Sequence, residues 1–344
     1  MRTQDNRNKR NVGWKKRKYH RRSVLFIVGY MAALTVLCFS LYNRIEPGAG
    51  SINQFQKMGL ANTINLEKLN STYAILVDVE TGQVLAEKNS HMRMYPASMT
   101  KLMAALVAVE HTENWDASIE ISNQLIARLY LEHASLAGFE PEEYVSPMDL
   151  LYGMLLPSGA ECCASYAIWL AGDEKTFVGW MNDKAAELGM EGTHFVNTSG
   201  LHDKKHYSTA ADMAILLEQC LKNETLRSVI STKSYQTTPT AKHPKGLDLQ
   251  STLFQALEEY PALSKILADE TMSQVTLLGG KTGYTSQAGL CLASFAQVGD
   301  KVYLLVTAGA EGNHNTEPFH IEDALDVYGK LAQDFLSVSL TLYQ

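Results

Sequence analysis

The stretch Tyr95-Pro96-Ala97-Ser98-Met99-Thr100-Lys101 decides how the rest of the chain is read. It is followed by Leu102-Met103-Ala104-Ala105-Leu106-Val107-Ala108-Val109, an apolar run of good helix formers that predicts a buried helix. Pro96 ends the extended segment before it, so Ser98 falls at the helix start, where free N–H groups and a partial positive charge gather. Lys101 comes three residues later on the same face, about one turn along. A serine hydroxyl is a weak nucleophile and needs a base within hydrogen-bond reach. A lysine serves as that base when burial or a neighbouring cation lowers its pKa. Alone, Ser-x-x-Lys is a weak signal, because an N-cap serine and a surface lysine have the same spacing.

Upstream, 73–79 and 83–88 read as two strands joined by the turn Glu80-Thr81-Gly82, a hairpin leading into the Ser98 helix. Residues 44–70 read as a linker, broken early by Pro47, Gly48 and Gly50. Before it, residues 23–43 carry no charge and are long enough to span a bilayer as a helix. Residues 1–22 hold ten Lys/Arg and one acid, so the positive-inside bias places the N-terminus in the cytoplasm and the body outside. A cleaved signal peptide is the competing reading. Its apolar region is normally shorter, and the nearest small-residue site, Gly48-Ala49-Gly50, is displaced, so a retained anchor is expected.

Downstream, 115–145 is mixed and carries no clear period. Ser146-Pro147-Met148-Asp149 reads as a helix start, with Ser146 as N-cap and Pro147 at the first helical position. Pro157-Ser158-Gly159 interrupts that helix, and a second follows over 160–171 with Gly172 as its stop. A serine at a break between two buried helices can point into a cleft. Another amphipathic helix covers 174–190, and a loop dense in polar groups, 193–201, precedes a helix capped by Ser208 or Thr209. The stretch Val275 to Thr285 becomes glycine-rich at Gly279-Gly280-Lys281-Thr282-Gly283, where a ligand can approach the backbone and a lysine and threonine suit an anionic group. It lacks the spacing of a phosphate-binding loop. Two β runs, 288–297 and 301–310, and a final helix over about 317–335 complete the chain.

The chain of 344 residues is 46% hydrophobic, enough for one large core or two modest ones. Beyond the basic head, 20 basic and 36 acidic residues leave a net charge of −16, which argues against a nucleic-acid partner. Cys38 falls in the apolar span; Cys162, Cys163, Cys220 and Cys291 sit in apolar contexts and read as mostly unpaired, buried thiols. No Cys/His cluster points to a metal, His202 and His206 read as structural or surface residues, and no cofactor is expected.

Three elements now stand in order: Ser98-x-x-Lys101, Ser158-Gly159-Ala160 and Lys281-Thr282-Gly283. With their flanks (Met154-Leu155-Leu156-Pro157, His206-Tyr207-Ser208-Thr209 and Tyr284-Thr285) they resemble the low-molecular-mass D-alanyl-D-alanine carboxypeptidases of the serine penicillin-binding protein and β-lactamase superfamily. The resemblance implies an α+β fold, an antiparallel sheet flanked by helices plus a mainly helical subdomain, here expected over 71–337. It implies removal of the terminal D-alanine from peptidoglycan stem peptides, trimming the cell wall, with β-lactams as covalent inhibitors. Ser98 would be the nucleophile, Lys101 its base and Ser158 a proton relay. The N–H groups of Ser98 and Tyr284 would hold the oxyanion, Lys281 and Thr282 would hold the terminal carboxylate, and Gly283 and Tyr284 would complete the substrate-binding set. A weakly catalytic peptidoglycan-binding or sensing homologue, an endopeptidase and a β-lactamase are the other readings. One departure stands out: the family's middle element usually ends in asparagine, and here that position is Ala160. Many relatives also carry a β-rich domain after the catalytic one, whereas here 311–344 provide for one closing helix.

Overall fold

The computed structural model describes residues 64–313 and 315–342, with side chains through residue 334. The basic head, the apolar segment 23–43 with Cys38, and most of the linker lie outside the described residues. The chain starts with a hairpin, β1 (Tyr73–Asp78) and β2 (Val84–Lys88), and a 3-10 turn (Ala97–Met99) leads into α1 (Thr100–His111). Next come β3 (Ile119–Glu120), α2 (Asn123–Leu131), β4 (Tyr144–Val145), α3 (Pro147–Leu155), α4 (Ala160–Ala171) and α5 (Glu174–Glu187). After a long loop follow α6 (Ala210–Lys222), α7 (Glu224–Ile230), β5 (Ser234–Gln236), β6 (Asp248–Gln250), α8 (Thr252–Glu259) and α9 (Pro261–Leu267). The chain closes with β7 (Val275–Thr285), β8 (Gly289–Val298), β9 (Lys301–Ala310) and α10 (Phe319–Leu342).

Five strands pair antiparallel in the order β2-β1-β9-β8-β7, so β7 is an edge strand. The sheet is buried on both faces because successive side chains point to opposite sides. Leu76, Leu292, Ala296 and Leu305 meet Ile321, Leu325 and Tyr328 of α10. Their neighbours Ile75, Val77, Ala293, Phe295, Leu304 and Val306 face the other core, which runs through α1, α3, α4 and α6. α1 is the centre of that layer: Leu102, Met103, Ala104, Ala105, Leu106, Val107 and Ala108 are each at most 1% exposed. A helix apolar all round is what burial on every side requires.

The punctuation residues act as the sequence predicts. Ser146 Oγ accepts from Asp149 N–H at 3.0 Å with Pro147 in the first turn, and Gly172 stops α4 at φ +83°. Thr209, rather than Ser208, caps α6 by accepting from Asp212 N–H at 3.0 Å. The α+β class and the antiparallel sheet match the expectation. Among the described residues no helix is long and apolar enough to cross a membrane.

The segment before β1 is tied to α10 through Asp323, which is 3% exposed. Its Oδ1 accepts from the N–H and side-chain amide of Asn70 at 2.9 and 3.0 Å, and Oδ2 accepts from Ser71 N–H at 2.7 Å. Asp323→Ala strips these donors of their acceptor and should cost about 1–3 kcal/mol. Urea unfolding checks this; an unchanged midpoint and slope would show that the tie contributes nothing.

Candidate active site

Ser98 lies in the tight turn before α1, and the turn is strained: Ala97, a non-glycine residue, has φ +46°. One turn on, Lys101 is 2% exposed. Its Nζ lies 3.1 Å from Ser98 Oγ and donates to the Ser199 carbonyl at 2.6 Å. Burial pulls the Lys101 ammonium below the ordinary lysine value, against the opposing pull of charge on Cys163, Glu161 and Cys162. Hence the hydroxyl and a readily deprotonated amine are already in contact.

The loop carrying Ser199 comes very close to this turn. Gly200 has φ +86°, and a Cβ there would sit 1.8 Å from the Ala97 carbonyl oxygen, so glycine is required. Asn197 Oδ1 accepts from Gly200 N–H at 2.7 Å and its amide donates to Leu201 O at 2.9 Å. His206 is buried and braces the same region. Its Nδ1 accepts from Val196 N–H at 3.2 Å, so Nε2 carries the proton donated to Thr100 Oγ1 at 2.8 Å. Burial lowers its pKa to about 4, which keeps it neutral and structural. His202 stacks edge-on against Tyr95.

Ser158 sits at the break between α3 and α4 with φ +69°, and its buried Oγ has no hydrogen-bond partner among the described residues. Gly159 N–H donates to Gly153 O at 2.9 Å, and Ala160 N–H to Ser135 O at 2.8 Å, which fixes this break against the segment 134–138. Glu161 supports the same contact from beneath: its Oε1 accepts from Ala137 N–H at 2.6 Å and Gly138 N–H at 3.0 Å. Burial raises its carboxyl pKa, against those backbone donors. Ala160 packs in an apolar cluster with Leu125, Leu129 and Ala164. Cys163, one turn along, donates its thiol to Gly159 O at 3.4 Å and lies on the side of α4 that faces Lys101. Its pKa is pushed up to about 12 by burial, and the four described cysteines are free and buried.

The edge strand β7 forms the third wall. A Cβ on Gly283 would come within 3.0 Å of Ser98 N, so strand and nucleophile turn are packed backbone to backbone. Lys281 is 1% exposed and donates from Nζ to Thr282 O at 3.0 Å. Burial and then the Lys101 charge lower its pKa to about 7. Thr282 Oγ1 meets Thr252 Oγ1 at 2.6 Å.

Two cavities converge on Ser98. One, of about 1010 Å³, is lined by Lys101, Ala160, Ser199 and Gln287; the other, of about 240 Å³, by Ser158, Thr252, Thr282 and Gly283. Ser98, Ser135 and Tyr284 line both. The structure thus brings Ser98, Lys101, Ser158, Thr282, Gly283 and Tyr284 together, with Lys281 beneath the surface rather than on it. Ser135, Ser199 and Thr252 escaped sequence reading. Ser135 lies in a stretch without a usable period, Thr252 opens a short helix with no motif around it, and Ser199 contributes a carbonyl, which has no side-chain signature. Among the described residues no group of three His, Cys, Asp or Glu is gathered to hold a metal.

Comparison with known proteins agrees with this geometry. D-alanyl-D-alanine carboxypeptidase DacF of Bacillus subtilis is 34% identical over 242 residues, covering 69% of this chain and 57% of that protein. DacD of Escherichia coli is 29% identical over 273 residues, covering 77% of this chain and 64% of that one. The chain therefore spans less than two thirds of the length of these two relatives. The crystal structure of the Streptomyces K15 DD-transpeptidase superposes with a TM-score of 0.66 at 26% identity, covering 77% of this chain and 99% of that one. The family model for D-alanyl-D-alanine carboxypeptidases, peptidase family S11, matches residues 60–312, and the chain belongs to that family.

Proposed function

We propose that the chain is a serine-type D-Ala-D-Ala carboxypeptidase that removes the terminal D-alanine of peptidoglycan stem peptides through an acyl-enzyme on Ser98. The observation that carries this reading is the contact of 3.1 Å between Lys101 Nζ and Ser98 Oγ where two cavities meet. The larger cavity accommodates the stem peptide, and the smaller one the terminal D-alanine, its carboxylate near Thr282 with Lys281 supplying positive charge from below. Neutral Lys101 takes the Ser98 proton as Oγ attacks the carbonyl between the two D-alanines. The N–H groups of Ser98 and Tyr284 hold the oxyanion. Collapse breaks the peptide bond, and Ser158 passes a proton to the departing amine. Water then adds to the acyl-enzyme and frees Ser98. A β-lactam enters the same sequence and stalls at the acyl stage. No cofactor takes part in this scheme.

Release of D-alanine from an N-acylated tripeptide ending in D-Ala-D-Ala tests the assignment. Ser98→Ala should abolish it, and Lys101→Ala should slow it ~10²–10⁴-fold. The wild-type rate should rise with pH along a limb below the ordinary lysine pKa, because the neutral amine is the working form and burial favours it. Release that survives Ser98→Ala would place the nucleophile elsewhere.

Ala160 is the family departure, and its apolar surroundings favour an adapted site over a simple defect. Ala160→Asn forces an amide against Leu129 and Ala164, and should cost ~1–3 kcal/mol through overpacking without raising the rate. A faster enzyme at unchanged melting temperature would instead show that the missing amide matters.

The charge asymmetry around residues 23–43 supports a retained single-pass anchor, with residues 1–22 cytoplasmic, 44–70 as linker and 71–337 as an external catalytic domain. Protease added to intact cells should digest the body. N-terminal sequencing that begins near Ser51 would show that the anchor is cleaved.

A further inference from the structure

Lys101 is held more closely by the Ser199 carbonyl, at 2.6 Å, than by Ser98 Oγ, at 3.1 Å. The position of that carbonyl therefore sets the position of the amine, which raises the question of what holds the carbonyl. Asn197 shapes the turn from within, and Asn182 of α5 grips Phe195 on both sides, accepting from its N–H at 2.8 Å and donating to its carbonyl at 2.9 Å. Next to Ser199 itself, the anchor is Glu174. Its Oε1 accepts from Thr198 Oγ1 at 2.7 Å and Thr198 N–H at 3.3 Å, while Oε2 accepts from Arg128 Nη2 at 2.8 Å. Thr198 is fully buried, and Glu174 is 19% exposed in the wall of the larger cavity.

We propose that Glu174 is a positioning residue for the base: it fixes residues 197–200 so that the Ser199 carbonyl holds Lys101 Nζ beside Ser98. The proposal rests on the reading of Lys101 as the base of Ser98. Glu174 never touches the reacting atoms. Its other role, an acid in the first turn of α5 opposite the helix dipole, would not require contact with Thr198. Arg128 on α2 fixes the second carboxylate oxygen and so limits the side chain's freedom to turn away. A chain of contacts thus runs from α2 through α5 and the loop to the amine.

The arrangement has a signature beyond lost stability. A carbonyl that accepts from an ammonium favours the charged amine. When the carbonyl drifts away, Lys101 loses its proton more readily and the ascending limb of the acylation pH profile moves to lower pH. The plateau falls at the same time, because the amine no longer sits against Oγ. The other groups facing Lys101 are Glu161, Cys162 and Cys163 on α4, Lys281 on β7 and His206 in the same loop. The Glu174 charge also reaches Cys163, and Glu174→Gln, which removes that charge but keeps the oxygen, separates this effect from displacement of the carbonyl.

Acylation by a fluorescent penicillin, followed across pH with melting temperatures in parallel, tests this on the full chain. Glu174→Ala should lower the plateau by about 10–100-fold and move the limb to lower pH. Glu174→Gln keeps an oxygen for Thr198 and should restore the wild-type limb to within a few-fold of the wild-type rate. Thr198→Val, which removes the hydroxyl while leaving Glu174 in place, should move the limb in the same direction as Glu174→Ala, and it carries the test if the alanine variant does not fold. An unmoved limb in Glu174→Ala or in Thr198→Val overturns the proposal while labelled wild type leaves the enzyme assignment intact. A wild-type chain that is not labelled at Ser98 overturns both.

Discussion

The burial of one amine governs this site. Lys101 is 2% exposed at the start of a helix apolar on every side, with Ser98 Oγ and the Ser199 carbonyl as its polar contacts. An amine in that position is costly in its charged form, so the fold itself biases it toward the neutral form that can take a proton. The rest of the architecture follows from keeping it there. α1 must sit in the middle of the helical layer, and something must come close enough to Ser98 to provide backbone N–H groups without shielding the hydroxyl.

Glycines make that close approach feasible. Gly200 lets the loop touch the Ala97 carbonyl, and Gly283 lets the edge strand pass alongside Ser98 N. Gly159 performs the same service at the helix break, where a Cβ would come within 2.7 Å of Ala137 Cβ. Three segments distant in sequence therefore converge on one hydroxyl. Strain is tolerated at the same place, with Ala97 and Ser158 at positive φ, held by the packing around them. The edge position of β7 has a further consequence. Among the described residues no sixth strand pairs with its outer side, which leaves that edge able to accept an extended chain.

The parts of this account visible in the sequence are those with a local cause. Ser146 followed by Pro147 marks a helix start, Gly172 marks a stop, and two near-continuous apolar runs mark closing strands buried on both faces. The Ser98-x-x-Lys101 pair was visible because helical spacing brings its members together without help from the fold. What the sequence concealed has tertiary causes. The strands β3 and β4 are two residues each, too short for any period to register. Lys281 resembles a surface cation on a glycine-rich strand, and only packing puts it below the cleft floor. The anchor formed by Glu174 and Thr198 joins residues 24 apart, a carboxylate accepting from a hydroxyl and an N–H, with no local spacing to announce it. Ala160 is legible as a departure, yet its meaning depends on Leu125, Leu129 and Ala164, which come from two helices.

The central claim is covalent chemistry on one hydroxyl, and an acid-quenched reaction tests it most directly. The protein is mixed with a D-Ala-D-Ala peptide, and separately with a penicillin, then digested and read by mass spectrometry. The account predicts a stem-peptide acyl group with one D-alanine freed per acyl group formed in the first sample, and an opened β-lactam with nothing released in the second, each attached to the fragment containing Ser98. D-alanine release without any adduct on that fragment, or an adduct mapped to another residue, would contradict it.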